Sequence, residues 1–122
     1  MKMEIAIADA NIREGRSLSH VLENRNCQTT LINSLKSLEQ FLQKSGSRAI
    51  IIDLDTLPVD KRYFRDLKRL HPMIHIIGLS EHSFHPELEE AISQHIFACV
   101  SKPVDPEEIL FLLKSINEHN GY

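Results

Sequence analysis

Short apolar runs alternate along the chain with longer segments in which apolar residues recur every three or four positions. Four of these runs are nearly continuous in apolar residues, which is typical of strands that are covered on both faces of a sheet. They lie at residues 5–8, 49–52, 74–79 and 97–100. The run at residues 27–32 is more polar, and we interpret it as a fifth strand at an edge of the sheet.

Five segments between and after these runs have apolar residues with helical spacing. Their stripes are Leu18, Val21 and Leu22; Leu35, Leu38, Phe41 and Leu42; Phe64, Leu67 and Leu70; Leu88, Ala91 and Ile92; and Ile109, Leu112, Leu113 and Ile116. Capping residues at Asn11 and Asp105 mark the starts of the first and last helices, and Pro86 is suited to begin the fourth. Five strands that alternate with five helices predict a doubly wound α/β fold, a five-stranded parallel sheet with helices on both faces.

Composition narrows the classes of protein that fit this pattern. A chain of 122 residues suits one domain, and its formal charge of −3 argues against nucleic-acid binding, which needs a basic surface. The longest unbroken apolar run in the C-terminal third, residues 109–113, is far too short to span a bilayer. Cys27 and Cys99 have no CxxC spacing, so neither a disulfide framework nor a zinc site is indicated. We therefore expect a soluble protein of a reducing compartment, the cytoplasm.

Polar residues with useful chemistry follow four of the predicted strands. In an open parallel sheet the ligand site lies beyond the carboxyl ends of the strands, so these residues are expected to meet at one edge. They are Asp9, Asp53, Ser80 and Lys102. The chain has no dinucleotide fingerprint, P-loop or Gly-rich phosphate loop, which argues against a flavodoxin-like cofactor-binding protein.

Several motifs resemble those of response-regulator receiver domains. The segment 101–109, SKPVDPEEI, is similar to the Lys-Pro motif and final helix start of that family. Asp53 follows three isoleucines, where the family has its phosphoacceptor, and the segment 72–80 resembles the family's fourth strand. The resemblance covers essentially the whole chain and implies one flavodoxin-like receiver domain over residues 1–122. It also implies a cis peptide bond between Lys102 and Pro103.

The resemblance implies a function in two-component signalling. Asp53 is expected to take a phosphoryl group from a histidine kinase and so to control an effector domain or a downstream protein. Lys102 would pair with one phosphoryl oxygen, and the Ser80 hydroxyl would hydrogen-bond another. Asp9, Asp53 and the backbone carbonyl of Asp55 would hold Mg²⁺. Such a domain is not an enzyme for a separate metabolite, and it binds neither nucleic acid nor membrane directly.

The chain departs from the family's pattern at several positions near the predicted site. Ala10 stands where the family usually has a second acidic residue that ligates the metal directly, so we expect weak Mg²⁺ binding. The other departures are Pro58, one residue farther from Asp53 than usual; Glu81, where a small residue is usual; Cys99, at an aromatic position; and His95-Ile96, where Gly-Ala is usual.

These departures leave two interpretations open. The first is a phosphoacceptor receiver domain, which Asp53, Ser80 and Lys102 together favour. The second is a pseudo-receiver, a protein-interaction module that works without phosphorylation, which Ala10 and Glu81 favour.

Two further side chains bear on the predicted site. We expect Cys99 to be a small buried hydrophobe. Asp55 lies two residues past the end of its strand, where its side chain need not face the pocket.

Overall fold

A computed structural model of the chain describes residues 3–82 and 94–119. Along these residues the elements are β1 (Met3–Ala8), α1 (Ile12–Glu23), β2 (Cys27–Ile32), α2 (Leu35–Lys44), β3 (Ala49–Asp53), α3 (Lys61–Leu70), β4 (His75–Ser80), β5 (Ala98–Ser101) and α4 (Pro106–His119). The predicted helix with its start at Pro86 lies outside the described residues. The other four predicted helices and all five predicted strands are present, and the strand bounds differ from the predicted ones by two residues at most.

The five strands form one parallel sheet in the order β2-β1-β3-β4-β5. The predicted fold class, a doubly wound five-stranded parallel sheet, is confirmed. The more polar β2 lies at an edge, as its sequence predicts. The chain runs outward from β1 to β2 and then returns to β3 on the other side of β1, so strand order reverses between β1 and β3. In open α/β sheets this reversal creates a crevice at the carboxyl ends of the strands.

Both faces of the sheet are buried, which explains why its inner strands are continuously apolar. Successive side chains of β3 point to opposite faces, so that Ile50 and Ile52 pack on one side and Ile51 on the other. The first side carries α2 and α3, through Leu38, Leu42, Phe64 and Leu67. The second carries α1 and α4, through Leu18, Leu22, Ile109, Leu113 and Ile116.

Capping residues begin the first and last helices, as the sequence predicts. The Asn11 side chain accepts a hydrogen bond from the backbone N–H of Glu14 at 3.2 Å, and the Asp105 carboxylate accepts one from the N–H of Glu107 at 3.0 Å. The loops before these two helices are short, three residues after β1 and four after β5. Among the described residues, no helix combines the length and apolarity needed to cross a bilayer.

The hydrogen-bond ladder of the sheet continues past the strand ends and fixes the backbone of two predicted site residues. The N–H of Asp9 donates to the carbonyl of Ile32 at 2.9 Å, and the N–H of Lys102 donates to the carbonyl of Ser80 at 2.8 Å. The sheet therefore fixes the backbone positions from which the side chains of Asp9 and Lys102 extend.

The expected burial of Cys99 is wrong, because Cys99 is exposed. It lies on β5, a short strand at the edge of the sheet, where alternate side chains point to opposite faces. Val100 packs into the core, and its neighbour Cys99 therefore lies on the opposite face.

Gly78 in β4 makes room for Leu54, the residue that directly follows Asp53. A Cβ atom at position 78 would lie 2.9 Å from Leu54 Cδ1 and 3.3 Å from Leu54 Cγ. The absence of a side chain at Gly78 thus lets Leu54 pack against the sheet.

We expect Gly78→Ala to lower the free energy of unfolding by about 1–3 kcal/mol, because the added methyl group overpacks the contact with Leu54. Urea unfolding followed by circular dichroism measures this loss. Gly46→Ala is the matched control, since a Cβ atom there meets nothing within 4 Å. Equal stability of the two variants would contradict the close approach at Gly78.

Candidate functional site

The structure brings Asp53 and Lys102 into direct contact at the carboxyl edge of the sheet. The Asp53 side chain is fully buried, and its Oδ1 lies 2.6 Å from Lys102 Nζ. Lys102 follows β5, and its side chain is 13% exposed. The peptide bond between Lys102 and Pro103 is cis, as the resemblance implies. The buried carboxylate is therefore neutralised by an ammonium group from two strands away.

Asp9 and Asp53 face each other across the hydroxyl group of Thr56. This hydroxyl donates to Asp53 Oδ2 at 2.5 Å, lies 3.2 Å from Asp9 Oδ1, and accepts a hydrogen bond from the N–H of Ala10 at 3.1 Å. The N–H of Thr56 also donates to Asp53 Oδ2, at 3.0 Å. Thr56 was not among the predicted site residues. The signal that could have found it is its spacing, because an Asp side chain at a turn often binds a backbone group a few residues later.

The Asp55 side chain points into the pocket, a direction that its position two residues past the predicted strand end left open. Its Oδ1 accepts a hydrogen bond from the Ser80 hydroxyl at 2.8 Å, and its Oδ2 accepts one from the backbone N–H of Glu81 at 2.8 Å. The same Oδ2 lies 3.2 Å from Lys102 Nζ. Ser80 is thus in the pocket as predicted, and its hydroxyl is bound to Asp55.

Lys102 is surrounded by negative charge. Carboxylates of Asp53 at 2.6 Å, Asp55 at 3.2 Å and Glu14 at 3.8 Å all lie within ion-pair distance of its Nζ. Burial acts to lower the pKa of Lys102, but its contacts with Asp53 and Asp55 outweigh that effect and hold this pKa above the ordinary value. Lys102 is therefore a permanent cation at the centre of the pocket.

The pKa values of Asp9 and Asp55 are shifted in opposite directions by their surroundings. Burial raises the pKa of Asp9, the N–H of Asn11 opposes that rise, and the Asp53 charge adds to it. Burial also acts to raise the pKa of Asp55, but hydrogen bonds from Glu81, Ser80 and Lys102 hold it below its usual value. Asp55 is thus held as a carboxylate by the donors around it.

The pocket offers oxygen atoms of the type that Mg²⁺ binds, but only a few of them. Asp9 and Asp53 offer buried carboxylate oxygens, which Mg²⁺ prefers as ligands. Ala10 offers no side-chain oxygen. Within residues 3–82 and 94–119, no group of three or more His, Cys, Asp or Glu side chains has the arrangement of a metal site. The two carboxylates are thus oxygen ligands of the kind that Mg²⁺ takes, and a weak Mg²⁺ site here stays a prediction.

A cavity of about 640 Å³ opens beside Lys102. It lies between α1 and the loop that leads from β5 to α4, and its walls include Arg13, Glu14, Val21 and Val104. Lys102 thus lies between the buried Asp53 carboxylate and the open part of the pocket.

We expect Lys102→Met to lower the free energy of unfolding by about 3–5 kcal/mol, because it leaves the buried Asp53 carboxylate without its ion-pair partner. Adding Asp53→Asn to this variant should restore much of the loss, since the unpaired charge is then gone. Chemical unfolding of the two single variants and the double variant measures the coupling. The exposed Lys36→Met is the control, and additive effects of Lys102→Met and Asp53→Asn would contradict the pairing.

Comparison with known proteins gives one consistent structural result. No protein-family model matches the sequence, and no curated protein matches it. The signal receiver domain of an HD domain-containing protein from Pseudomonas fluorescens Pf-5 is similar with a TM-score of 0.86 and 19% identity, over 98% of this chain and 97% of that chain.

Two further solved structures agree with it. A CheY-like response regulator receiver domain protein from Methanospirillum hungatei JF-1 has a TM-score of 0.85 and 15% identity, over 97% of this chain and 96% of that one. The beryllofluoride-activated NtrC4 receiver domain has a TM-score of 0.84 and 20% identity, over 95% and 97%. The chain has the fold of a response-regulator receiver domain.

Proposed function

We propose that this chain is the phosphoacceptor receiver domain of a two-component phosphorelay and that Asp53 takes the phosphoryl group from a histidine kinase. The observation that carries the proposal is the buried Asp53 carboxylate, held 2.6 Å from Lys102 at the crevice of a receiver fold. The phosphorylated form would control an effector domain or a downstream protein. The proposed place of action is the cytoplasm, with no direct contact to nucleic acid or membrane.

The proposed transfer is a displacement at phosphorus. An oxygen of the Asp53 carboxylate attacks the phosphorus of a phosphohistidine, and an acyl phosphate forms on Asp53. The P–N bond breaks with its electron pair staying on the imidazole ring, which takes up a proton from solvent and leaves as neutral imidazole. Such a reaction depends on position and on charge neutralisation. Lys102 supplies a fixed positive charge beside the reacting carboxylate. The chain would catalyse at most its own phosphorylation and dephosphorylation. It would turn over no separate metabolite.

Asp9, Asp53 and the backbone carbonyl of Asp55 are the groups that would hold Mg²⁺. When bound, this ion would neutralise part of the charge that the phosphoryl group brings to the pocket. The Thr56 hydroxyl lies between the two carboxylates, donating to Asp53 and lying 3.2 Å from Asp9 Oδ1.

A second candidate function is a pseudo-receiver that binds partner proteins without phosphorylation. It is favoured by the contacts that Asp55 makes with the Ser80 hydroxyl and Lys102 Nζ, and by the lack of an acidic side chain at position 10. A chain of this kind would keep the fold and its buried ion pair while its phosphorylation became slow or ceased.

Incubation with acetyl phosphate and Mg²⁺ should add one phosphoryl group to the chain, and Asp53→Asn should abolish the addition. Intact-mass spectrometry measures both results. Asp66→Asn removes the same charge from an exposed position of α3 and should leave the addition unchanged. Phosphoryl transfer retained in Asp53→Asn, or mapped to Asp55, would refute the placement, and no transfer to the original chain would favour the pseudo-receiver.

Ala10→Asp should increase the stabilisation of the fold by Mg²⁺, because it adds an anionic oxygen ligand to a site with few. Without metal the same variant should unfold at a lower temperature than the original chain, since the new charge lies near Asp9 and Asp53. Thermal unfolding with and without Mg²⁺ measures both effects. Gln43→Glu adds the same charge at an exposed position of α2 as a control. An equal Mg²⁺ response of Ala10→Asp and the original chain would show that position 10 is irrelevant to metal binding.

A further inference from the structure

Three hydrogen-bond donors converge on the Asp55 carboxylate. They are the hydroxyl of Ser80 at 2.8 Å, the backbone N–H of Glu81 at 2.8 Å and the ammonium group of Lys102 at 3.2 Å. Each comes from a different part of the carboxyl edge, namely the end of β4, the residue after it and the residue after β5. Charge-assisted contacts of this kind are the strong form of hydrogen bond, and together they form a site for an anion.

These donors include Lys102, whose positive charge the proposed function places beside the reacting carboxylate, and Ser80, whose hydroxyl would hydrogen-bond an oxygen of the phosphoryl group. Ser80 and Lys102 are both engaged by Asp55. We propose that the Asp55 carboxylate is an internal anion that occupies the phosphoryl-oxygen site and must leave it before Asp53 can be phosphorylated. Asp55 is thereby an autoinhibitory residue of the pocket.

The burial of Asp53 supports this inhibition. Its side chain has no exposed surface, with Lys102 against Oδ1 and the Thr56 hydroxyl against Oδ2. Asp55 Oδ2 also lies 3.2 Å from Lys102 Nζ, so two carboxylates hold the ammonium group against the oxygen of Asp53. A phosphodonor reaches Asp53 only after this arrangement has opened.

Electrostatics makes the two anions mutually exclusive. A phosphoryl group carries a charge of roughly −1.5 to −2 at neutral pH. Placed on Asp53, it would share Ser80 and Lys102 with the Asp55 carboxylate at close range, and like charges at such distances repel strongly. Asp55 can leave because it lies in the loop between β3 and α3 and its side chain is already 15% exposed.

Binding of inorganic phosphate tests the proposal without any phosphoryl transfer. Chemical shifts of the Glu81 backbone amide are followed by NMR while phosphate is added to the full chain and to its Asp55→Ala variant. We expect Asp55→Ala to bind phosphate at least about tenfold more tightly than the original chain, because it removes an anion and frees charged and neutral donors. Asp66→Ala, which removes an exposed carboxylate of α3, should behave as the original chain does.

Each result of this titration either supports or overturns the proposal. Tighter binding by Asp55→Ala with a Glu81 shift supports the proposal. Equal binding by the original chain and the variant overturns it, and so does the absence of binding in a folded Asp55→Ala protein. Asp55→Asn removes the charge with almost no change in shape, and it is judged by the same criteria if Asp55→Ala does not fold.

The inference rests on the proposed function only for the identity of the anion that displaces Asp55, and a second measurement separates the inference from that function. The rate of phosphorylation by acetyl phosphate in Asp55→Ala should exceed that of the original chain by about tenfold, the same factor as the binding. If Asp55→Ala binds phosphate more tightly but neither protein is phosphorylated, the role of Asp55 as an internal anion is supported and the phosphoacceptor function is rejected. Phosphorylation at equal rates in both proteins would reject the inhibition and leave the phosphoacceptor function standing.

Discussion

The ion pair between Asp53 and Lys102 is the interaction on which the pocket depends. A fully buried carboxylate is costly unless an opposite charge lies against it, and the distance of 2.6 Å between Asp53 Oδ1 and Lys102 Nζ provides that charge. The sheet makes the pair possible, since the carboxyl ends of β3 and β5 lie on either side of β4. The fold therefore holds the Asp53 carboxylate in a neutralised form, and any chemistry at Asp53 would have to alter this pair.

Much of the fold could be predicted because a strand that is buried on both faces is apolar at nearly every position. Continuous apolar runs predicted β1, β3 and β4, which are inner strands, and the more polar β2 was predicted as an edge strand and is one. The apolar run at residues 97–100 also predicted a strand, but that strand, β5, lies at the other edge. The rule that parallel strands present their carboxyl ends at one edge then placed Asp9, Asp53, Ser80 and Lys102 together. These are residues whose positions follow from the backbone of the sheet.

The parts of the pocket that sequence reasoning missed belong to a loop. Asp55 and Thr56 lie between β3 and α3, where neither strand nor helix periodicity fixes the direction of a side chain. Asp55 turns inward because three donors are available there, and Thr56 turns inward because its N–H and hydroxyl both bind Asp53. Such directions follow from tertiary contacts. For the same reason the exposure of Cys99 on an edge strand was not visible in its residue type.

The phosphoacceptor and pseudo-receiver interpretations differ in one physical quantity. This is the free energy needed to exchange the Asp55 carboxylate for a phosphoryl group at Ser80, Lys102 and the Glu81 amide. Both anions use the same donors, so the hydrogen bonds that break and those that form are of the same kind, and the balance depends on charge. Ala10 takes one carboxylate away from the metal side of the pocket, while Asp55 brings one to the lysine side. Less charge on the metal side weakens binding of the cation that would favour phosphorylation, and more charge on the lysine side strengthens the competitor. Both changes would therefore act against the proposed phosphorylation, although Asp53, Ser80 and Lys102 meet at the carboxyl edge of the sheet.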